Sequence, residues 1–150
     1  MRKILLILII AALVFFALNL SVTTRQGINY QWKTLKIPLY LKLLDFFDRH
    51  YNYRELVRKI TSGAKTDTEK ALKIFAWTGQ NIRKVPEGMP VVDDHVWHII
   101  IRGYGASDQS SDVFTTLCNY AGIDAFYLLA YSQDKKGAIY LSVARLNGVV

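Results

Sequence analysis

The sequence has very little cysteine: Cys118 is the only one among 150 residues. A single thiol excludes a disulfide within the chain and a cysteine-based metal site. The sequence also lacks glycine-rich phosphate loops, dinucleotide fingerprints, internal repeats and low-complexity tracts. Nucleotide sites of those types, solenoids and a disordered chain are therefore excluded. What remains is enough chain for one modest hydrophobic core, and we expect no cofactor and no metal.

Acidic residues are scarce in the first part of the chain. The formal net charge is +7, and residues 24–65 hold nine basic residues against three acidic ones. A basic segment directly after an apolar N-terminus favours attraction to anionic lipid head groups. Nucleic acid is the alternative partner, but no nucleic-acid-binding motif accompanies the charge, so we expect none.

The N-terminus is apolar. Within residues 4–22 only two side chains are polar, and a helix of nineteen residues would be about 28 Å long, close to the hydrocarbon thickness of a bilayer. Arg2 and Lys3 before the run are also typical of a secretory signal, but no small-x-small cleavage site ends it. We therefore predict that residues 1–23 are a transmembrane anchor or signal, with the membrane as partner through residues 4–22.

The orientation of this predicted anchor is left open by the charges, because basic residues lie on both sides of the apolar run. The short charged N-terminus favours a cytoplasmic start and an extracytoplasmic domain at the cell envelope.

Residues 24–65 are predicted to be a basic juxtamembrane helical region. Residues 23–31 are polar and indicate a linker, and residues 37–49 have polar side chains at helical spacing. Asn52 is a candidate cap for a second short helix over residues 53–62. These helices either pack against the rest of the chain or lie on a membrane surface.

Residues 66–150 contain two strong helix patterns. Thr66 and Glu69 form a capping box that opens a helix running to about Arg83. A second helix begins at Ser107 and ends near Gly122. Its apolar residues follow a 3.6-residue period: Val113, Phe114, Leu117, Cys118 and Ala121.

Strands are predicted around and after the second helix. Residues 125–131 and 138–146 indicate two strands of an antiparallel sheet, and residues 96–101 indicate a short strand. The fold class is therefore α+β, with helices first and then an antiparallel sheet packed on the helix that begins at Ser107. Asn147-Gly148 is a hairpin signal with two residues after it. We expect a further strand beyond Val150, so that the 150 residues would be a C-terminally truncated piece.

The segment Arg102-Gly-Tyr-Gly-Ala-Ser-Asp-Gln, with its helix and Ala121-Gly122-Ile123, resembles the central signature of the transglutaminase-like superfamily, which shares the papain-like cysteine protease fold. In that signature a Gly-x-Cys opens a helix, and a Gly-Ile pair follows about fifteen residues after the cysteine. The resemblance covers residues 66–150 and implies a transglutaminase-like core behind the N-terminal helix.

The resemblance also implies a catalytic triad, and this sequence departs from it. The cysteine nucleophile position holds Ser107, the histidine position holds Ala138, and the aspartate position lies beyond Val150. Triad chemistry needs a base to activate the nucleophile and a group to orient that base. We therefore predict a pseudoenzyme that binds peptide or glycopeptide. The alternative is an amide-directed hydrolase or acyltransferase that uses Ser107 or a base from elsewhere.

A cluster of histidines and carboxylates precedes the second helix. His95 and His98 are three residues apart and follow Asp93-Asp94. Metal ligation needs both imidazoles on one side, which this spacing gives only in a helix. We expect His95, His98 and Asp108 to be candidates for lining the site, with Ser107 also suited to capping the helix.

Overall fold

The computed structural model describes residues 2–93, 95–132 and 138–146, with the backbone alone for Ala138. The N-terminal part contains α1 (Arg2–Leu18), β1 (Ser21–Ile28), β2 (Gln31–Pro38) and α2 (Leu39–Ile60). The middle contains α3 (Asp67–Asn81), β3 (Arg83–Lys84), β4 (Val92–Asp93), α4 (Val96–Arg102) and β5 (Tyr104–Gly105). The last part contains α5 (Ser107–Tyr120), β6 (Ala125–Tyr131) and β7 (Ala138–Ala144).

The strands form three small sheets. β1 lies between β2 and β4 and is antiparallel to both, while β3 and β5 form a short parallel pair. β6 and β7 are antiparallel, with Ala125 opposite Ala144 and Tyr131 opposite Ala138. The first two sheets therefore join segments on either side of a helix, and the β6–β7 pair packs on α5.

The core is built around α5. Val113, Leu117 and Cys118 on this helix are fully shielded from solvent, and Ile74 of α3 and Ile99 of α4 complete its centre. The 3.6-residue period predicted from the sequence is confirmed as the buried face of α5. The mixture of helices with an antiparallel strand pair packed on α5 confirms the α+β fold class, but the predicted order of helices first is not kept, because β1 and β2 precede α2.

The structure does not support the prediction of one membrane-spanning helix over residues 4–22. α1 has 17 residues and ends at Leu18, because the Asn19 side chain donates a hydrogen bond back to the Phe15 carbonyl and Ser21 starts the β1 ladder opposite Pro38. In the part of the chain that the structure describes, no helix combines the length and apolar character needed to cross a bilayer.

The region over residues 24–65 is helical only in its second part, because residues 21–38 form the β1–β2 hairpin rather than a linker. Asn29 and Tyr30 form the turn with φ of 50° and 63°, a left-handed pair that matches the twist of two antiparallel strands. Asn29 also bonds Val91 through its backbone N–H (2.8 Å) and its side-chain oxygen (2.9 Å), which fixes the hairpin tip.

The predicted break at Asn52 does not exist, because α2 is continuous. The Asn52 side chain donates to the Asp48 carbonyl, 2.9 Å away within the same helix, instead of capping a new one. Tyr53 and Val57 are buried in the core, so the second half of α2 packs with the segments that follow it.

The strand predicted over residues 96–101 is helix α4. It ends at Gly103, which adopts φ of 71° and donates its N–H to the Ile99 carbonyl, and only glycine takes this conformation without strain. The Thr66 cap is confirmed, since the Glu69 N–H donates to the Thr66 hydroxyl oxygen at 3.1 Å. The Glu69 side chain accepts from the Lys65 N–H at 2.6 Å instead of from the Thr66 N–H, so the second half of the predicted capping box is shifted by one residue. Asn147-Gly148 lies outside the described residues.

We predict that Leu117→Ala lowers the free energy of unfolding by about 2–5 kcal/mol, because it leaves a cavity in the centre of the core. Leu117 is 0% exposed, whereas Leu72 on α3 is 63% exposed, so Leu72→Ala is the matched control and should cost less than about 1 kcal/mol. Chemical denaturation of both variants measures the difference. Equal losses would contradict the assignment of α5 as the centre of the core.

Candidate functional site

The candidate site lies at the N-terminus of α5. Ser107 is the first residue of this 14-residue helix and is exposed. Ala106 occupies the capping position, so the predicted capping role of Ser107 is wrong. The unpaired backbone N–H groups of the first turn give this end of the helix a partial positive charge.

Gln109 holds this end of the helix in place. It is 4% exposed, and its side-chain oxygen accepts a hydrogen bond from the Ala106 N–H at 3.1 Å. Its side-chain nitrogen donates to the Val92 carbonyl of β4 at 2.6 Å, which also accepts from the Arg102 guanidinium at 3.0 Å. Both ends of the amide are therefore bonded, and α5 is tied to the sheet that contains the hairpin.

Gly105 allows Gln109 to reach this position. A Cβ at residue 105 would lie 3.0 Å from Gln109 Cβ and 3.0 Å from its side-chain oxygen, and 3.2 Å from Ile99. The glycine just before α5 is therefore required by close packing.

Carboxylates surround the start of α5. Burial, followed by the charges of Asp108 and Asp93, raises the pKa of Asp112 to about 6. Asp108 and Asp112 are one turn apart, so their side chains are neighbours on the helix surface. The predicted site residue Asp108 is thus next to Ser107 in a region of negative charge.

β7 lies close to the same end of α5. Burial, followed by the negative charge of Asp108, raises the pKa of Tyr140. Tyr140 is therefore close enough to the start of α5 for the charge of Asp108 to act on its hydroxyl group.

A groove runs between α3, α5 and β7, beside the candidate site. Its volume is about 310 Å³, and it is lined by Phe75, Thr78, Gly79, Ile82, Ser110, Ser111, Phe114 and Ser142. Phe75 is 68% exposed and its ring meets Phe114 edge to face at 6.1 Å. The groove thus combines an accessible aromatic surface with several hydroxyl groups, a lining suited to a ligand with apolar and polar parts.

The two histidines lie at the start of α4. His95 is its N-terminal flanking residue, and the His95 and His98 rings are 6.0 Å apart. His95 Nε2 lies 3.9 Å from an Asp45 carboxylate oxygen of α2. This distance places the His95 ring beside α2. Among residues 2–93, 95–132 and 138–146, no three histidine, cysteine or acidic side chains are arranged to hold a metal ion.

Cys118 lies in the middle of α5 and is fully buried, and burial alone raises the pKa of its thiol to about 12. A thiol with so little thiolate is a packing residue rather than a nucleophile.

Three residues of this site were missed by the sequence analysis. Gln109 had a local signal, since it stands three residues after the capping position, where Glu or Gln bonds back to the chain. Asp112 and Tyr140 had none, because their altered pKa values depend on charges brought together by α5, β4 and β7.

Comparisons with known proteins show which family and which folds this chain is similar to. The family model of the transglutaminase-like superfamily matches residues 54–148. A candidate cysteine protease from Cytophaga hutchinsonii has a similar structure, with a TM-score of 0.55 and 16% identity over 66% of this chain and 35% of that one. A candidate protease from Parabacteroides distasonis also has a TM-score of 0.55 and 16% identity, over 85% of this chain and 34% of that one.

These likenesses concern the fold, because identity is low. This chain spans about a third of the length of either solved structure. Among curated proteins, none matches this chain in sequence.

We predict that Asp112→Asn stabilises the protein above about pH 7 and changes little below about pH 4. An acid whose pKa is raised by folding binds more protons in the folded state, so its ionisation destabilises the fold as pH rises through about 6. Allowing for screening of this partly exposed group, the gain is about 1 kcal/mol, or roughly 2–4 °C in Tm. Thermal melts across pH measure it.

Asp48→Asn is the control for this prediction, because Asp48 is exposed on α2. Its melting curve should follow the unmodified protein at every pH. A stabilisation by Asp112→Asn that persists unchanged at about pH 4 would contradict the role of ionisation.

Proposed function

Because this chain belongs to the transglutaminase-like superfamily, we propose that it is a non-catalytic member that binds a peptide or glycopeptide in the groove between α3, α5 and β7. The family match and the solved structures support a papain-like core. We also propose that the protein is located at the cell envelope, because residues 4–22 are almost entirely apolar.

The observation that carries this proposal is the negative charge beside Ser107. Acyl transfer builds negative charge on the nucleophile and on the carbonyl oxygen, and enzymes place hydrogen-bond donors and positive charge there. At the start of α5 the carboxylates of Asp108 and Asp112 lie in that region, and Asp93 adds to their field. These charges oppose the positive end of the helix dipole.

The residue types at the family's catalytic positions support the same proposal. A serine hydroxyl needs a general base more than a thiol does, because its pKa is much higher. Ala138, at the histidine position, has no group that takes up a proton. The second candidate function is an amide-directed hydrolase or acyltransferase that uses Ser107, favoured by the exposure of this serine at the N-terminus of α5.

We predict that Phe75→Ala weakens ligand binding about tenfold, because Phe75 provides the accessible aromatic surface of the groove. The probes are a blocked aromatic tetrapeptide and muramyl dipeptide, followed by NMR shift titration. Leu72→Ala is the matched control, since Leu72 is on the same helix, similarly exposed and outside the groove lining. Equal effects of the two substitutions would contradict the groove as the binding site.

Release of acid or ammonia from amide substrates is measured on the same samples. The non-catalytic proposal expects none. Turnover by the unmodified protein that Ser107→Ala abolishes would overturn this proposal and establish the second candidate function.

We predict that Ser107→Cys creates a thiol of nearly ordinary reactivity, with an alkylation midpoint within about one unit of 8.5, because the carboxylates offset the helix dipole. The natural Cys118 gives no background, being buried with a pKa of about 12. Alkylation rate against pH is the measurement, with Ser62→Cys as the exposed control. Adding Ala138→His should raise the rate of Ser107→Cys at neutral pH. A midpoint several units below that of the control would contradict the electrostatic account.

A further inference from the structure

α2 carries an apolar stripe on the face that points away from the core. Its residues are spaced by three, four or one positions and fall within an arc about 100° wide. They are Tyr40, Leu43, Leu44, Phe47 and Tyr51, and all are exposed. Leu44, Phe47 and Tyr51 are the most exposed, at 62%, 62% and 66%. Large apolar side chains in such a row indicate a surface that another phase or molecule covers.

The stripe lies next to a second apolar surface. α1 contacts α2, and its residues from Arg2 to Ala17 are exposed. The start of α2 is fastened to the segment that follows α1, since the Leu39 N–H donates to the Leu20 carbonyl at 2.8 Å and the Lys42 ammonium donates to the Thr23 carbonyl of β1 at 2.7 Å. Two exposed apolar helices therefore contact each other in this part of the chain.

Basic residues continue and border this region. Along the helix the stripe leads to Arg54 and Arg58, which occupy the same arc one and two turns after Tyr51. Both are exposed. The hairpin and the start of α2 add further cations: Arg25, Lys33, Lys36 and Lys42. An apolar helical face bordered by Lys and Arg is the arrangement that binds anionic lipid surfaces.

We propose that the Tyr40–Tyr51 stripe of α2 inserts into the surface region of an anionic lipid bilayer, with Arg54 and Arg58 at the level of the head groups. α2 lies along the surface, and its opposite face keeps Tyr53 and Val57 in the core. A second copy of this chain is the less favourable occupant, because it would bring two strongly basic segments together. This inference goes beyond the binding groove and does not depend on it.

The test uses the full chain with one fluorophore on an introduced cysteine. Phe47→Cys places the label on the stripe, and Asp48→Cys places it about 100° around the helix as the matched control. Cys118 stays unlabelled because it is fully buried. Vesicles contain phosphatidylcholine and phosphatidylserine, with brominated lipids as quenchers. Because both variants keep α1, attachment through α1 affects them equally.

We expect the label at position 47 to shift to the blue and to be quenched at least about twice as strongly as the label at position 48. Replacing Arg54 and Arg58 together by glutamine should weaken binding about tenfold on anionic vesicles and little on phosphatidylcholine alone. Equal quenching at positions 47 and 48 would overturn the proposal. A blue shift without vesicles that grows with protein concentration would also overturn it, in favour of a second copy.

Discussion

The burial of one face of α5 is the constraint on which the rest of the structure depends. Val113, Leu117 and Cys118 lose all contact with water, and no other described helix places as many fully shielded side chains in the core. α3, α4 and the β6–β7 pair each pack against this helix. The position of its N-terminus, and with it the candidate site, follows from that packing together with the two hydrogen bonds of Gln109.

The positive end of the helix dipole at the N-terminus of α5 can stabilise either a thiolate or carboxylates. Backbone N–H groups at a helix N-terminus stabilise a thiolate in catalytic relatives of this fold class. In this chain the residue there is Ser107, and nearby carboxylates take up the positive end of the dipole. Asp112 shows the cost of this arrangement, since burial and the charges of Asp108 and Asp93 raise its pKa to about 6. A site in which neighbouring negative charge already disfavours an ionised carboxylate would also disfavour a developing oxyanion.

The parts of the fold that the sequence predicted have strong local signals. Thr66 and Glu69 match the capping-box pattern that predicts α3, and the 3.6-residue period of Val113, Phe114 and Leu117 predicts α5. The β1–β2 hairpin was missed because its turn, Asn29-Tyr30, contains no glycine and is fixed from outside by Val91. Asn52 has a side chain typical of a helix cap, but it bonds within α2. The helix continues past it, and Tyr53 and Val57, which follow Asn52, are buried in the core.

The candidate site also has features that the sequence predicted and features that it did not. The resemblance predicted that position 107 begins a helix, and this is a local property of the chain. The charge around that position is not local, because it combines Asp93 of β4, two carboxylates of α5 and the approach of Tyr140 on β7. The spacing of residues along the sequence does not show that these side chains come close together. Sequence therefore identifies which residues stand at the family's positions, and tertiary packing decides which charge they experience.

α2 links the two surfaces that we assign to ligands. Its inner face contributes Tyr53 to a ring cluster in which Tyr53 meets Trp97 at 5.4 Å and Tyr120 of α5 at 4.8 Å, so its position is fixed relative to the helix that carries the site. Its outer face carries the apolar stripe and two arginines. A rigid helix that is bound on one face and adsorbed to lipid on the other fixes the orientation of the groove relative to the lipid surface. The groove is lined by α3, α5 and β7 and shares no residue with the stripe, so ligand binding and adsorption are separable by substitution.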